Sequence, residues 1–286
     1  ATSDDGRIIA HYDFEDAAVA PIEFPRHFRR TIDPARGMPP FGSIALDNRH
    51  AAEGDWSFHF QLERGSLSAG IPTGVLPILP LADYEVSVRV RTEDLRQSGA
   101  VLRAAFHDAL GRRIPESEQR SAPLRTGGSW ETVTLLLPGR FEKAADLVID
   151  LELLQPAALR QPVEDQNLAA PRLEDIGGQA WFDELRVRHL PRLELRMENE
   201  STVIVDPERP VLELLVRDMA GVPVETWATV RDVDGRVVLH QLLTSSPPHT
   251  AVHMELELDR YGWYDATLLA ANDEGILRLA RMPFLW

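Results

Sequence analysis

Apolar and polar residues alternate at every second position along much of this chain. In YEVSVRVRT, residues 84 to 92, Tyr84, Val86, Val88 and Val90 point one way and Glu85, Ser87, Arg89 and Arg91 the other, the period of a half-buried strand. DWSFHFQLERGSLSAG repeats the pattern, with Trp56, Phe58, Phe60 and Leu62 facing Ser57, His59 and Gln61 across the strand before a turn at Arg64-Gly65-Ser66. In AWFDELRVRHLPRLEL, residues 180 to 195, the same period places Trp181, Asp183, Leu185 and Val187 on one face. Phe182, Glu184, Arg186 and Arg188 then fall on the other. Asp183 is the odd member of an apolar set, and a buried carboxylate needs partners.

RIIAHYDF (7–14), AVLRAAFHD (100–108), SWETVTLLLP (129–138) and DLVIDLELLQP (146–156) read as further strands, with AVLRAAFHD the expected neighbour of YEVSVRVRT. Pro21, Pro25, Pro34, Pro39 and Pro40 make the stretch after Asp16 irregular. Two long connections are expected, a polar one from Ala109 to Gly128 and another from Gln155 to Gln179. Beyond Leu193, RLELRMEN, PVLELLVRD, VETWATVRD, GRVVLHQLL, TAVHMELELD, GWYDATLLAAND and GILRLARMPF are short strands at sandwich spacing. No helical period persists beyond two turns, so the chain is expected to be all-β, with one sandwich at residues 1–190 and a smaller one at 191–286.

The formal charge of −15 over 286 residues leaves no basic stripe and argues against nucleic acid as a partner. The absence of cysteine excludes a disulfide framework, a thiolate metal site and a cysteine nucleophile. No apolar run has the length of a membrane span. The small, polar start ATSDDGR suits the mature end left by signal cleavage, and a trimmed end explains it equally well; the expected location is periplasmic or extracellular.

DFED at 13–16, GDWSFHF followed by GS, YEVSVRVRT, the tryptophan of SWETVTLLLP, LVIDLELL and AWFDELRV occur in an order that resembles bacterial carbohydrate-binding modules of the family 4/9 type, within the galactose-binding-like jelly-roll superfamily. The resemblance covers residues 1–190. Residues 193–286 resemble the immunoglobulin-like domains that follow such modules in multidomain bacterial polysaccharide enzymes. It implies a non-catalytic jelly roll, a polysaccharide or oligosaccharide partner, and a C-terminal glycoside hydrolase domain beyond Pro283-Phe284-Leu285-Trp286, an end that reads as cut. It also implies a structural Ca2+ between the first and closing strands, held by Glu15 and Asp183 with Asp13 as a weaker ligand; the alternative is that Asp183 caps a loop by accepting backbone hydrogen bonds and Glu15 is solvated.

Arg89, Arg103, His107, Asp150 and Glu152 would form one polar face if their strands lie side by side, either ligand-binding or a charge-paired solvated surface, and Trp130, which begins its strand, is a candidate for platform or core. Sugar platforms usually offer aromatic rings, and Trp56 and Trp181 read as core rather than platform. Arg112, Arg113, Glu116, Arg120, Glu164, Asp165 and Asp175 in the two long loops form an alternative, reading hydroxyls or an anionic glycan. There is no G-x-S-x-G, H-E-x-x-H, P-loop or dinucleotide motif. Two further readings stay open: a scaffold that positions a missing catalytic domain, and a cryptic glycan-acting enzyme, which needs only two suitably spaced carboxylates.

Overall fold

The structure, a computed structural model, describes residues 7–16, 24–156, 174–243, 249–273 and 275–286. They fall into two compact units, Ile8–Arg188 and His189–Trp286, the latter joined by Arg7. Both are built of antiparallel sheets, so the all-β class holds.

The first unit has β1 (Ile8–Tyr12), β2 (Arg29–Thr31), β3 (Ser43–Asp47), β4 (Ser57–Gln61), β5 (Leu67–Ile71), β6 (Asp83–Glu93), β7 (Gly99–Asp108), β8 (Gln119–Arg120), β9 (Glu131–Leu137), β10 (Ala144–Leu154) and β11 (Gln179–Leu190). One sheet runs β3-β4-β11-β6-β9 with β1 also on β11, and the other runs β2-β5-β10-β7-β8, a jelly-roll sandwich. Tyr84, Val86, Val88 and Val90 from the first sheet and Leu102, Ala104, Phe106, Leu147, Ile149 and Leu151 from the second are buried, as the alternation requires.

Three expectations are corrected here. β7 is not a neighbour of β6: it pairs with β10 in the opposite sheet, because periodicity reports which face is apolar and not which strand lies alongside. The proline-punctuated segment contains β2 and β3, and the serine- and glycine-rich SLSAG forms β5. In β11, Ala180 and Phe182 pair with Phe60 and Phe58 on the core side, whereas Leu185 and Val187 face inward further on. The parity switches at Asp183-Glu184, where Glu184 takes φ 51°, a left-handed conformation in a non-glycine residue. Trp181 therefore lies on the outer face of its sheet, opposite His59, and not in the inter-sheet core.

The second unit comprises β12 (Arg192–Met197), β13 (Val211–Arg217), β14 (Glu225–Asp232), β15 (Val237–Leu243), β16 (His249–Glu255), β17 (Trp263–Asn272) and β18 (Gly275–Leu285), one strand for each expected segment. They form a β12-β13-β16 sheet and a β15-β14-β17-β18 sheet around Leu212, Leu214, Val216, Val230, Leu268 and Phe284. One buried ion pair belongs to this unit. Arg7 donates to Asp218 from both terminal nitrogens, Nη1 to Oδ1 at 3.1 Å and Nη2 to Oδ2 at 2.6 Å, and the two side chains are 0% and 2% exposed. The backbone N–H of His189 donates to the Arg7 carbonyl at 2.9 Å. Burial lowers the His189 pKa, with Arg7 adding to the shift and Asp218 opposing it.

Candidate functional site

Strand register sets a row of side chains across the outer face of the five-stranded sheet. Arg29 of β2 lies opposite Gly70 of β5, Gly70 opposite Asp150 of β10, Asp150 opposite Arg103 of β7, and Arg103 opposite Arg120 of β8. Directly paired residues share a face, so the row crosses all five strands, about 19 Å over four steps of ~4.8 Å. Thr31, Ser68, Glu152 and Val101 form the next row by the same register. Beyond it Met38 packs with Val101 and Leu154 and closes that end of the face. On the other side His107 lies opposite Asp146.

Arg103 organises the centre. Its Nη2 lies 3.0 Å from Asp150 Oδ2 and 3.1 Å from Glu152 Oε1. Glycine at position 70 is required here, because a Cβ would run into the Asp150 carboxylate and the Ile149 carbonyl. Arg29 and Arg120 at the two ends are exposed, whereas Arg103 and Asp150 are each 18% exposed. The result is a shallow strip in which Arg29, Arg103 and Arg120 supply guanidinium donors and Asp150 a carboxylate acceptor, with Glu152 buried beside Arg103. Asp150 and Glu152 share one cation instead of facing each other across a cleft, which is not the arrangement of a glycosidase pair.

Four of the expected ligand residues, Arg103, His107, Asp150 and Glu152, thus lie on adjacent strands of one sheet. Arg89 does not join them: it sits on β6, opposite Thr132 of β9, in the other sheet. Trp130 immediately precedes β9 and is half-buried, and it too belongs to that sheet's side of the molecule. Arg29 and Gly70 were missed by the sequence reading, although a glycine inside a strand is itself a signal of close approach. His107 Nδ1 is 2.9 Å from Thr73 Oγ1 and 3.1 Å from the Gly111 carbonyl.

The loop residues are tied down locally. Arg112 bonds Asp108 at 2.8 Å, Arg113 pairs with Glu118, and Glu116 lies in a short 3-10 turn, Pro115–Ser117. Asp175 Oδ2 accepts the N–H groups of Arg96, Gln97 and Ser98 at 2.8–3.1 Å, bracing the β6–β7 turn. Glu164 and Asp165 lie outside the described residues.

Two of the three expected calcium ligands, Asp183 and Glu15, converge on the 50–56 loop as acceptors, whereas Asp13 accepts from Glu15. Asp183 Oδ2 accepts Ala52 N–H at 2.7 Å and Glu53 N–H at 3.2 Å, and its Oδ1 accepts Glu184 N–H at 2.8 Å. Glu15 Oε1 accepts the N–H groups of Asp55 and Trp56 at 2.8 and 2.9 Å, and Asp13 Oδ1 accepts Glu15 N–H at 3.2 Å. Five loop and strand N–H groups therefore point at the two carboxylates where a cation would need lone pairs and carbonyl oxygens. Among the described residues no three His, Asp or Glu side chains are grouped to hold a metal. This donor set does not fit a calcium ion. A chelator is accordingly expected to leave the thermal midpoint of the calcium-supplemented protein unchanged in differential scanning calorimetry; a drop of several degrees would reinstate the ion.

On the outer face of the six-stranded sheet, Trp181 stacks on His59 with centroids 4.8 Å apart and donates from Nε1 to Asp47 Oδ2 at 3.0 Å. Arg49 bonds the same carboxylate at 2.8 Å, His59 Nε2 lies 2.9 Å from Gln179 Oε1, and Arg91 lies over the indole at 5.8 Å. Burial lowers the His59 pKa against the pull of Asp47. With Trp181 1% exposed, this cluster is a closed layer and offers no platform. Trp56, expected in the core, is half-buried.

No protein-family model and no curated protein matches the chain. Among solved structures, the CBM22-1 xylan-binding domain of Paenibacillus barcinonensis Xyn10C aligns at 13% identity and a TM-score of 0.40, covering 64% of this chain and 94% of that one. The CBM22-1 and GH10 modules of Clostridium thermocellum xylanase 10B, complexed with xylohexaose, align at 10% identity and a TM-score of 0.40, covering 64% of this chain and 28% of that one. The enzymatically active domain of tailspike protein 4 from bacteriophage CBA120 aligns at 9% identity and a TM-score of 0.41, covering 62% and 20%. Two of these names carry family 22 where the sequence resemblance pointed to the 4/9 type. Likenesses at this level assign no activity.

Proposed function

We propose that Ile8–Arg188 is a non-catalytic glycan-binding module and that its recognition surface is the outer face of the five-stranded sheet. The observation that carries this reading is the register-locked row Arg29–Gly70–Asp150–Arg103–Arg120. A linear polysaccharide presents hydroxyls that both donate and accept, and the row offers three guanidinium donors together with the Asp150 carboxylate as acceptor. Its charges nearly cancel once Glu152 is included, which favours a neutral or weakly charged chain. At the centre of the row Arg103, Asp150 and Glu152 hold one another before a ligand arrives, which reduces the ordering cost of binding. The context is an extracytoplasmic bacterial protein that handles polysaccharide. In this reading the second unit is an immunoglobulin-like spacer ahead of a catalytic glycoside hydrolase domain.

A second reading, docking to another protein domain, is favoured by one feature of the second unit. Leu242, Trp227, Leu269 and Leu279 lie opposite one another across β15, β14, β17 and β18, and Leu242 and Leu279 are exposed. A polysaccharide array probed with the whole chain separates the two. Specific retention on one or more polysaccharides supports the module, and silence across neutral and acidic polysaccharides by a folded protein leaves the docking reading.

A further inference from the structure

The outer face of the second unit's four-stranded sheet changes character along its strands. Past the leucine row, Val237, Arg231, Asp265 and Pro283 lie opposite one another, and Trp263 follows Asp265 on the same face of β17. Trp263 is 56% exposed. Arg281 Nε reaches both oxygens of Asp265, at 2.8 and 2.7 Å. Beside them the turn Asp232-Val233-Asp234-Gly235 folds back, with Asp232 Oδ1 accepting the N–H groups of Asp234 and Arg236 at 3.0 and 2.8 Å. These groups enclose an open cleft of about 410 Å³, within the ~300–1,000 Å³ span of small-molecule sites.

We infer that this cleft is a second saccharide-binding site, one that takes a neutral sugar ring against Trp263. The argument is independent of the sheet face on the first unit. The exposed indole offers a large flat apolar face, which suits the C–H face of a pyranose. The hydroxyl rim of such a ring needs acceptors and donors together, which Asp265 and the guanidinium groups of Arg231 and Arg281 provide in the same cleft. Two arginines stand against Asp232 and Asp265, so the charge of the cleft is balanced and selects against a polyanion. A proline-rich peptide is also a poor fit, because it docks between several exposed rings. Tyr264, the other aromatic residue lining the cleft, is buried and stacks on Phe284 at 5.4 Å.

The test uses native affinity electrophoresis of the whole chain in gels containing arabinoxylan, mixed-linkage β-glucan, galactomannan or polygalacturonate. Arg29→Ala/Arg120→Ala serves as the parent, since it weakens the first unit's row at two exposed positions. This parent is expected to be retarded by at least one of the neutral polysaccharides. Adding Trp263→Ala is expected to weaken that retardation tenfold or more, and Trp263→Phe to keep most of it. Failure of every neutral polysaccharide to retard the parent, retardation by polygalacturonate alone, or equal retardation with and without Trp263→Ala would each overturn the site. Retardation of the wild type but not of the parent would do so while leaving the first unit's face intact. Unchanged circular dichroism in all variants separates loss of a ligand contact from loss of fold.

Discussion

Asp218→Ala is expected to destabilise the unit His189–Trp286 by about 3–5 kcal/mol, the cost of leaving a buried charge without its partner. Arg7 is fully buried and its two terminal nitrogens both bond the Asp218 carboxylate, so truncation removes the carboxylate that balances a guanidinium unable to lose its proton. Asp218 Oδ1 also accepts Ala220 N–H at 3.2 Å, a smaller loss. Replacing both partners, as Arg7→Met/Asp218→Leu, is expected to recover most of the stability, because an apolar pair of similar size carries no desolvation cost. Urea denaturation followed by hydrogen exchange of peptides from β12 to β18 reads the effect. If the double variant is no better than Asp218→Ala alone, the unbalanced charge is not the cause.

Asp183→Ala is expected to cost about 2–4 kcal/mol, since three backbone N–H groups lose their acceptor and the 50–56 loop loses one of its two carboxylate braces. Burial pushes the Asp183 carboxyl up to about 6 from 3.8, with Glu184 adding to the rise and the three N–H donors opposing it. Asp175 also accepts three backbone N–H groups; burial again raises, yet there the N–H donors win and its pKa is lowered. The signs of their pH dependence therefore differ. Between 3.8 and about 6 the folded state holds the Asp183 proton that the unfolded chain has released, so this residue's contribution to stability falls as pH rises through that window. The Asp175 contribution is present above 3.8 and is lost as pH falls through its lower folded value. Denaturation curves of the wild type, Asp183→Asn and Asp175→Asn between pH 3 and 7 check both slopes, and parallel curves for the wild type and Asp183→Asn would contradict the Asp183 assignment.

Much of this fold is written in the two-residue period. Tyr84 to Val90 in β6 and Leu212 to Val216 in β13 alternate in the structure as they do in the sequence. What the period cannot report is the neighbour: Arg89 was grouped with Arg103 and Asp150 because all three point outward, yet they stand on opposite sheets. Nor does it report a change of phase. The phase change at Asp183-Glu184 involves no glycine or proline, so nothing in the local sequence announced that Trp181 and Leu185 would face opposite ways. The Arg7–Asp218 pair joins residues 211 positions apart, and neither charge stands out in its own segment. Trp263 was read only as part of a strand, because exposure of an alternating aromatic depends on what the rest of the fold leaves uncovered.

The central claim is that the row on the five-stranded sheet holds a glycan, and calorimetric titration tests it most directly. The wild type, Arg29→Ala and Arg120→Ala would be titrated with an oligosaccharide cut from the polysaccharide that the array retains best. Both substituted residues are exposed ends of the row, so the fold should survive and the midpoint of thermal unfolding should stay within a degree or two. The account predicts a saturable heat in the wild type and a several-fold weaker affinity in each variant, in line with the loss of one charge-assisted hydrogen bond, about 1 kcal/mol or more. Wild-type affinity in both variants, with their folding intact, would contradict it and move recognition off this face.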